Sequence, residues 1–227
     1  MTSIKFLGQS SFLINFGGTE LLFDPMISPN PMASSINLDE ISAPYILLSH
    51  GHDDHVHDAE YLAKKNESTI ISNFEVATWY GQKGIAYHPM NLGGKWKFDF
   101  GTVKMVQSVH SSVLPDGSHG GASGGFVIWN EENCFYFAGD TALTLDMQLI
   151  TRTCPNLDFA ILPIGDNFTM GWEDALIAAD FIKCDTIVAC HFDTFPYIKI
   201  DHQAALDGFA KAGKKLIVLE IGETIKI

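Results

Sequence analysis

The chain is poor in cysteine and in basic residues, and it has no long hydrophobic run. Apolar stretches such as Tyr45-Ile-Leu-Leu48 and Thr186-Ile-Val-Ala-Cys190 stop far short of the roughly 18 to 20 residues a membrane-spanning helix needs. They read as buried strands, and no membrane association is expected. Met1-Thr-Ser-Ile-Lys-Phe-Leu enters a strand-like run at once, without the basic region, apolar core and cleavage site of a signal peptide, so a cytoplasmic location is expected. Cys134, Cys154, Cys184 and Cys190 form no CxxC pair; no disulfide framework is implied, and the three that sit in apolar sequence read as small buried hydrophobes. Lys and Arg number 14 against 27 Asp and Glu, a formal charge of −13. That balance argues against nucleic acid as a partner, because backbone affinity comes from Lys and Arg displacing counterions.

What is present is apolar and regularly punctuated. With 227 residues, 46% of them hydrophobic, the chain suits a single domain over residues 1–227. Ile4–Leu7, Ser11–Asn15, Glu20–Phe23, Tyr45–Leu48 and Thr69–Ser72 read as strands between Gly, Asn and Pro turns, with helices over Asp58–Lys65 and Asn73–Gln82. The second half repeats the style. Strands fit 102–109, 125–129, 134–138, 159–162, 186–190 and 216–219, and helices fit 172–184 and 202–212, with Asp201 as a cap and Gly213 as a stop. Strands first, then strand and helix alternating, twice over, predict an α/β fold of two sheets packed face to face with helices outside.

One segment concentrates chemistry. His50-Gly51-His52-Asp53-Asp54-His55 places four metal-binding side chains, His50, His52, Asp54 and His55, within six residues, directly after a buried strand. Imidazole and carboxylate at such a turn suit zinc and related first-row ions. His50 and His52 are spaced to hold one ion, and Asp54 and His55 are offset towards a second. A charged turn without a metal has no need of three imidazoles.

HxHxDH after a hydrophobic strand is the signature of the metallo-β-lactamase superfamily, and the chain resembles that family along its length. The resemblance extends to His110 after Met105–Val109, Asp140 after Phe135–Gly139, and His191 after Ile187–Cys190. It implies a four-layer αββα sandwich with two packed mixed β-sheets. It further implies two divalent ions, one held by His50, His52 and His110, the other by Asp54, His55 and His191, with Asp140 bridging. Gly8-Gln-Ser-Ser-Phe-Leu13, Phe23-Asp24-Pro25, Gly165-Asp-Asn-Phe-Thr-Met-Gly171 and His191-Phe-Asp-Thr-Phe-Pro196 look like a cytosolic hydrolase branch similar to the L-ascorbate-6-phosphate lactonases. Relatives commonly carry His where this chain has Gln9; Gln can hydrogen-bond but cannot carry a proton at neutral pH.

Other residues have two readings each. Asp24 accepts a hydrogen bond from a ligand histidine or caps a turn before Pro25. Gln9 lies near the site or is an ordinary loop residue. Asp166, Asn167 and Thr169 line the pocket mouth or make turns. His119, in the loop Gly117–Gly125, touches substrate or simply marks a flexible segment. His57, His88 and His202 complete no ligand spacing; His88 is expected in a loop and His202 in a first helical turn.

The expected activity is hydrolysis of a small-molecule lactone, ester, amide or phosphoester by hydroxide held between two metals, with Asp54 as the catalytic residue that orients it and moves a proton. Two divalent ions add about +4 to a carboxylate-rich site, so an anionic substrate is compatible with an acidic protein. Zinc suits the donors best; manganese, nickel and iron are also accepted. The rival readings are a di-iron redox protein and a non-catalytic, metal-stabilised binding protein. A homo-oligomer is compatible with the sequence.

Overall fold

In the computed structural model, which describes residues 2–227, the strand alternation serves two separate cores. On β1 (Ser3–Gly8), β2 (Ser11–Phe16) and β3 (Thr19–Phe23), Ile4, Phe12, Phe16, Leu21 and Phe23 face the larger core. Leu7 and Leu22 face the smaller one. β4 (Tyr45–Leu47) and β5 (Thr69–Asn73) follow the same rule, Leu47 and Ile71 one way, Ile46 and Ile70 the other. A period of two lets each strand hold a layer on both faces. The outer layer here is α1 (Asp53–Val56), α2 (Ala59–Asn66) and α3 (Phe74–Gly81), which contribute Val56, Leu62, Val76 and Tyr80 to the smaller core. β6 (Tyr87–Met90) ends this half.

The second half runs β7 (Lys95–Lys97), β8 (Thr102–Gln107), β9 (Gly124–Trp129), β10 (Cys134–Phe137), α4 (Ile150–Thr153), β11 (Phe159–Pro163), α5 (Trp172–Phe181), β12 (Thr186–Cys190), α6 (His202–Lys211), β13 (Lys215–Ile217) and β14 (Thr224–Lys226). The two seven-stranded sheets have orders β14-β1-β2-β3-β4-β5-β6 and β13-β12-β11-β10-β9-β8-β7. Both are mixed on one plan. β14 through β3 pair antiparallel and β3 through β6 parallel; β7 through β10 pair antiparallel and β10 through β13 parallel.

Aromatic contacts join the inner faces, with Phe16 and Phe135 ring centroids 5.2 Å apart and Phe23 and Phe137 4.8 Å apart. α5 packs on β11 and α6 on β13, with Ala175, Ala179, Ala205 and Phe209 buried. The four-layer αββα sandwich expected from the sequence is the architecture observed. Among the described residues no helix is long and apolar enough to cross a membrane.

Three strands escape the sequence reading. β6, β7 and β14 carry little apolar alternation; β6 contains Pro89, which lacks a backbone donor and fits a sheet edge. His88 is therefore in a strand rather than a loop, between the rings of Trp96 and Phe98. The strand expected to reach Val109 ends at Gln107, and the one expected over 216–219 is Lys215–Ile217. The helix expected to reach 184 ends at Phe181, with Lys183 left-handed at φ 53. Asp58 does not cap α2. Its carboxylate instead accepts the N–H groups of Ile27 (2.7 Å) and Ser28 (2.9 Å), tying the β3 exit loop to the helix.

Candidate metal centre

The strand directions collect the site. β1, β3 and β4 point the same way in one sheet, and β8, β10, β11 and β12 point the same way in the other. The residues that follow them are Gln9, Asp24, Ser49 to His55, His110, Asp140, Asp166 and His191. Two backbone bonds stitch these ends across the sheets: His191 N–H donates to Gln9 C=O (2.9 Å) and Gly124 N–H to Ser49 C=O (3.1 Å). Gln9, Asp24 and His191 are all left-handed, at φ 52, 39 and 54, a strained geometry that surrounding structure must enforce. Glycine is required just before Asp140: Gly139 has φ 61, and a Cβ there would lie 2.6 Å from that of Ser49.

All seven residues expected as ligands come together. One ligand atom each from His50, His52 and His110 lie within 4.8 Å of one another, and so do those of Asp54, His55, Asp140 and His191. Asp140 faces both groups. Its Oδ2 is 3.5 Å from His110 Nε2, 3.3 Å from His55 Nε2 and 3.1 Å from His191 Nε2.

Behind the ligands is a buried relay. Asp24 accepts from Ser49 N–H (2.8 Å), from Ser49 Oγ–H (2.5 Å) and from His55 Nδ1–H (2.7 Å). Because the Ser49 hydroxyl spends its proton on Asp24, it accepts from His50 Nδ1–H at 3.0 Å. Both imidazoles thus carry their proton on Nδ1 and turn the Nε2 lone pair into the cluster, the arrangement a metal ligand needs. Asp24 also lies within 4.8 Å of His50 and His55 ligand atoms, but with both its oxygens accepting hydrogen bonds it orients ligands rather than joining them. Gln9 Nε2 donates to Asp54 Oδ2 at 3.0 Å.

In the cluster, buried carboxylates and imidazoles shift one another's protonation. Burial opposes an imidazolium at His55, yet Asp140, Asp54 and Asp24 hold its pKa well above the usual value. His191, buried but facing Asp140, is raised to about 9. His55 and His191, against burial, hold Asp140 well below and Asp54 below the carboxylate range. His50, His52 and His110 are lowered, first by burial. Burial likewise raises Asp24. His55 Nε2 and Asp140 Oδ1 are buried in this cluster without hydrogen-bond partners. Converging imidazole nitrogens and carboxylate oxygens at one point fit divalent ions, which would take the place of the imidazolium protons.

The cluster floors a cavity of about 640 Å³, reached by His52, Asp54, His110, Asp140 and His191. Asp54 keeps 28% of its side chain exposed there, against 3% for Asp140. The remaining wall includes Phe168, Phe195, Pro196 and Tyr197. Asp166 and Asn167 occupy a left-handed turn, Asn167 N–H donating to Asp166 Oδ1 (2.7 Å), and Thr169 Oγ1 donates to Met170 C=O (3.3 Å). From this loop it is Phe168 that reaches the cavity. His119 is exposed, its Nδ1 accepting Gly121 N–H at 3.0 Å, and it does not line the cavity. Sequence reading passed over Ser49, whose place immediately before His50 was the available signal, and the aromatic wall, although Phe168, Phe195 and Pro196 lie inside the segments that carry the family resemblance.

The model for a Beta-lactamase superfamily domain matches residues 3–191. A UPF0173 metal-dependent hydrolase of Christiangramia forsetii is 51% identical over 225 residues, covering 99% of each chain. One from Bacillus thuringiensis subsp. konkukian is 41% identical over 229 residues, again 99% of each. A solved structure of a novel metallo hydrolase from the hyperthermophilic archaeon Ignicoccus hospitalis superposes with a TM-score of 0.90 at 30% identity, covering 99% of this chain and 98% of that one. The likeness spans both sheets and every strand end that supplies the cluster, and the chain belongs to the beta-lactamase superfamily, within its UPF0173 metal-dependent hydrolase group.

Proposed function

We propose that the protein is a dinuclear metal-dependent hydrolase acting on a lactone, ester, amide or phosphoester. The observation that carries this reading is the Asp140 carboxylate facing two donor groups at once. His50, His52 and His110 would hold one ion, Asp54, His55 and His191 the other, with Asp140 between them; zinc suits the donors best. Bound there, divalent ions supply Lewis acidity and make water a competent nucleophile near neutral pH.

The chain's own residues do the rest. Asp24 and Ser49 fix the tautomers of His55 and His50, so that donors are aimed before anything binds. Asp54 is the cluster carboxylate most open to the cavity, and we assign it to orienting water and holding the proton that hydrolysis releases. Gln9 Nε2 restrains Asp54 Oδ2. Having no titratable group, it positions that carboxylate without taking the proton itself.

Metal analysis of the purified protein, joined to a screen of lactones and phosphodiesters, tests the reading. About two equivalents per chain and turnover abolished by chelation are expected. One equivalent at saturation, or turnover that survives metal removal, overturns it.

A further inference from the structure

The wall above the ligands has a chemistry that bond hydrolysis alone does not require. Two separate loops, one after β11 and one after β12, carry Phe168 and Tyr197 to the same mouth, where their ring centroids are 6.3 Å apart in an edge-on arrangement. Both are large and open, Phe168 51% and Tyr197 75% exposed, and both line the cavity with Phe195 and Pro196. Isolated exposed aromatics need no explanation, but several converging on one cavity mark a binding surface.

The wall is preformed. Asp193 N–H donates to Ile198 C=O (2.8 Å), Asp193 Oδ1 accepts Ile200 N–H (3.1 Å), and Asp193 Oδ2 pairs with His202 Nε2 (2.6 Å), bracing both ends of the loop that carries Tyr197. Opposite it, the left-handed pair Asp166 and Asn167 turns the chain into Phe168. A surface held in this way loses little entropy when it receives a ligand.

Among the described residues no Lys or Arg lines the same cavity, whereas Asp53, Asp54 and Asp140 do. The chain has a single arginine, Arg152, on α4, and Lys199, two residues beyond Tyr197, is exposed but outside the lining. A phosphate or carboxylate placed away from the ligand cluster would meet neither a guanidinium fork nor an ammonium group.

We infer that the substrate carries an uncharged aromatic or alkyl group seated against Phe168 and Tyr197, and no anionic group remote from the bond that is cleaved. This rests on the hydrolase reading of the site and narrows it, setting aside a substrate whose anionic group lies away from the cleaved bond.

The test varies the remote group on a common metal-binding anchor. Zinc-loaded protein is titrated calorimetrically with acetohydroxamic acid, 4-phenylbutanohydroxamic acid and 4-phosphonobutanohydroxamic acid. The phenyl compound is expected to bind roughly tenfold or more tightly than acetohydroxamate, and the phosphono compound no more tightly. In Phe168→Ala/Tyr197→Ala the phenyl gain shrinks to less than about threefold while acetohydroxamate affinity is kept, and Tyr197→Phe retains the gain. An equal or larger gain for the phosphono compound, or a phenyl gain that survives the double substitution, overturns the inference. Binding by none of the three overturns the inference, and protein that takes up no zinc at the start overturns the metal centre. A phenyl gain with no turnover of phenylalkyl lactones, esters, amides or phosphoesters overturns the hydrolase reading and leaves the seat in place.

Discussion

The two sheets share one strand plan but supply the centre in different ways. From the first sheet, a single turn after β4 delivers His50, His52, Asp54 and His55. The second sheet sends one residue from each of three strand ends, His110, Asp140 and His191. Geometry in the first half is thus largely a property of one local backbone. In the second it is a property of the sheet and of what clamps it to its partner. Substitutions in the second half should therefore damage folding and metal binding together, while those in the first half damage binding more selectively.

The sharpest test pairs Asp140→Ala with His52→Ala. Asp140→Ala strips the shared carboxylate from buried His55 and His191, and is expected to cost about 3–5 kcal/mol in metal-free protein. More than one equivalent of metal should be lost as well. His52→Ala, at a half-buried position, should lose one equivalent with little change in the denaturation midpoint. Equal losses of stability would break the comparison.

Asp24→Asn weakens the relay without removing a ligand, and metal affinity should fall by roughly 10–100-fold in competition with a chelator. An unchanged affinity would mean that His55 and His50 are oriented by packing alone.

Gly139→Ala should destabilise the fold by about 1–3 kcal/mol in urea titrations, because it places a Cβ against Ser49 at a left-handed φ. Gly51→Ala, in the first-half turn, meets its nearest atom at 3.0 Å and should be milder.

Acid should separate the two donor groups. His191 has its pKa raised to about 9, above the roughly 6.5 of an unfolded histidine. Its pairing therefore stabilises metal-free protein fully below pH 6.5 and is lost as pH rises towards 9. Metal needs the neutral imidazole, so its affinity grows across that same interval. The melting-temperature gap between loaded and metal-free protein is expected to widen from pH 6.5 to 9. On acidification the ion at His55 and His191 should leave before the one at the lowered His50, His52 and His110. A constant gap, or simultaneous release, counts against this account.

The smallest effect belongs to Gln9→Ala. Removing one neutral hydrogen bond to Asp54 should lower kcat/KM about fivefold, corresponding to about 1 kcal/mol, with metal content unchanged. Loss of metal would show that Gln9 supports the ligand set instead of restraining Asp54.

Much of this protein was legible before folding because its signals are local. Alternation in Leu21, Leu22 and Phe23 states two opposed apolar faces, and His50 to His55 states a metal-binding turn in six consecutive positions. His110, Asp140 and His191 were legible only through likeness to a family, since each by itself is one polar residue at a strand end. The edge strands β6, β7 and β14 were hidden because their pairing depends on a neighbouring strand rather than on their own pattern.

What the sequence by itself determined is the type of chemistry: donors of the right kind, at the right spacing, behind apolar strands of period two. Only the tertiary structure decided that Asp140 faces both donor groups, that Ser49 and Asp24 set two tautomers, and that Phe168 and Tyr197 share one mouth. The physical reason is the range of the interactions. Side-chain period and turn chemistry act over a few residues, whereas buried charge pairing and cavity shape depend on groups that meet only when both sheets have closed on their common core.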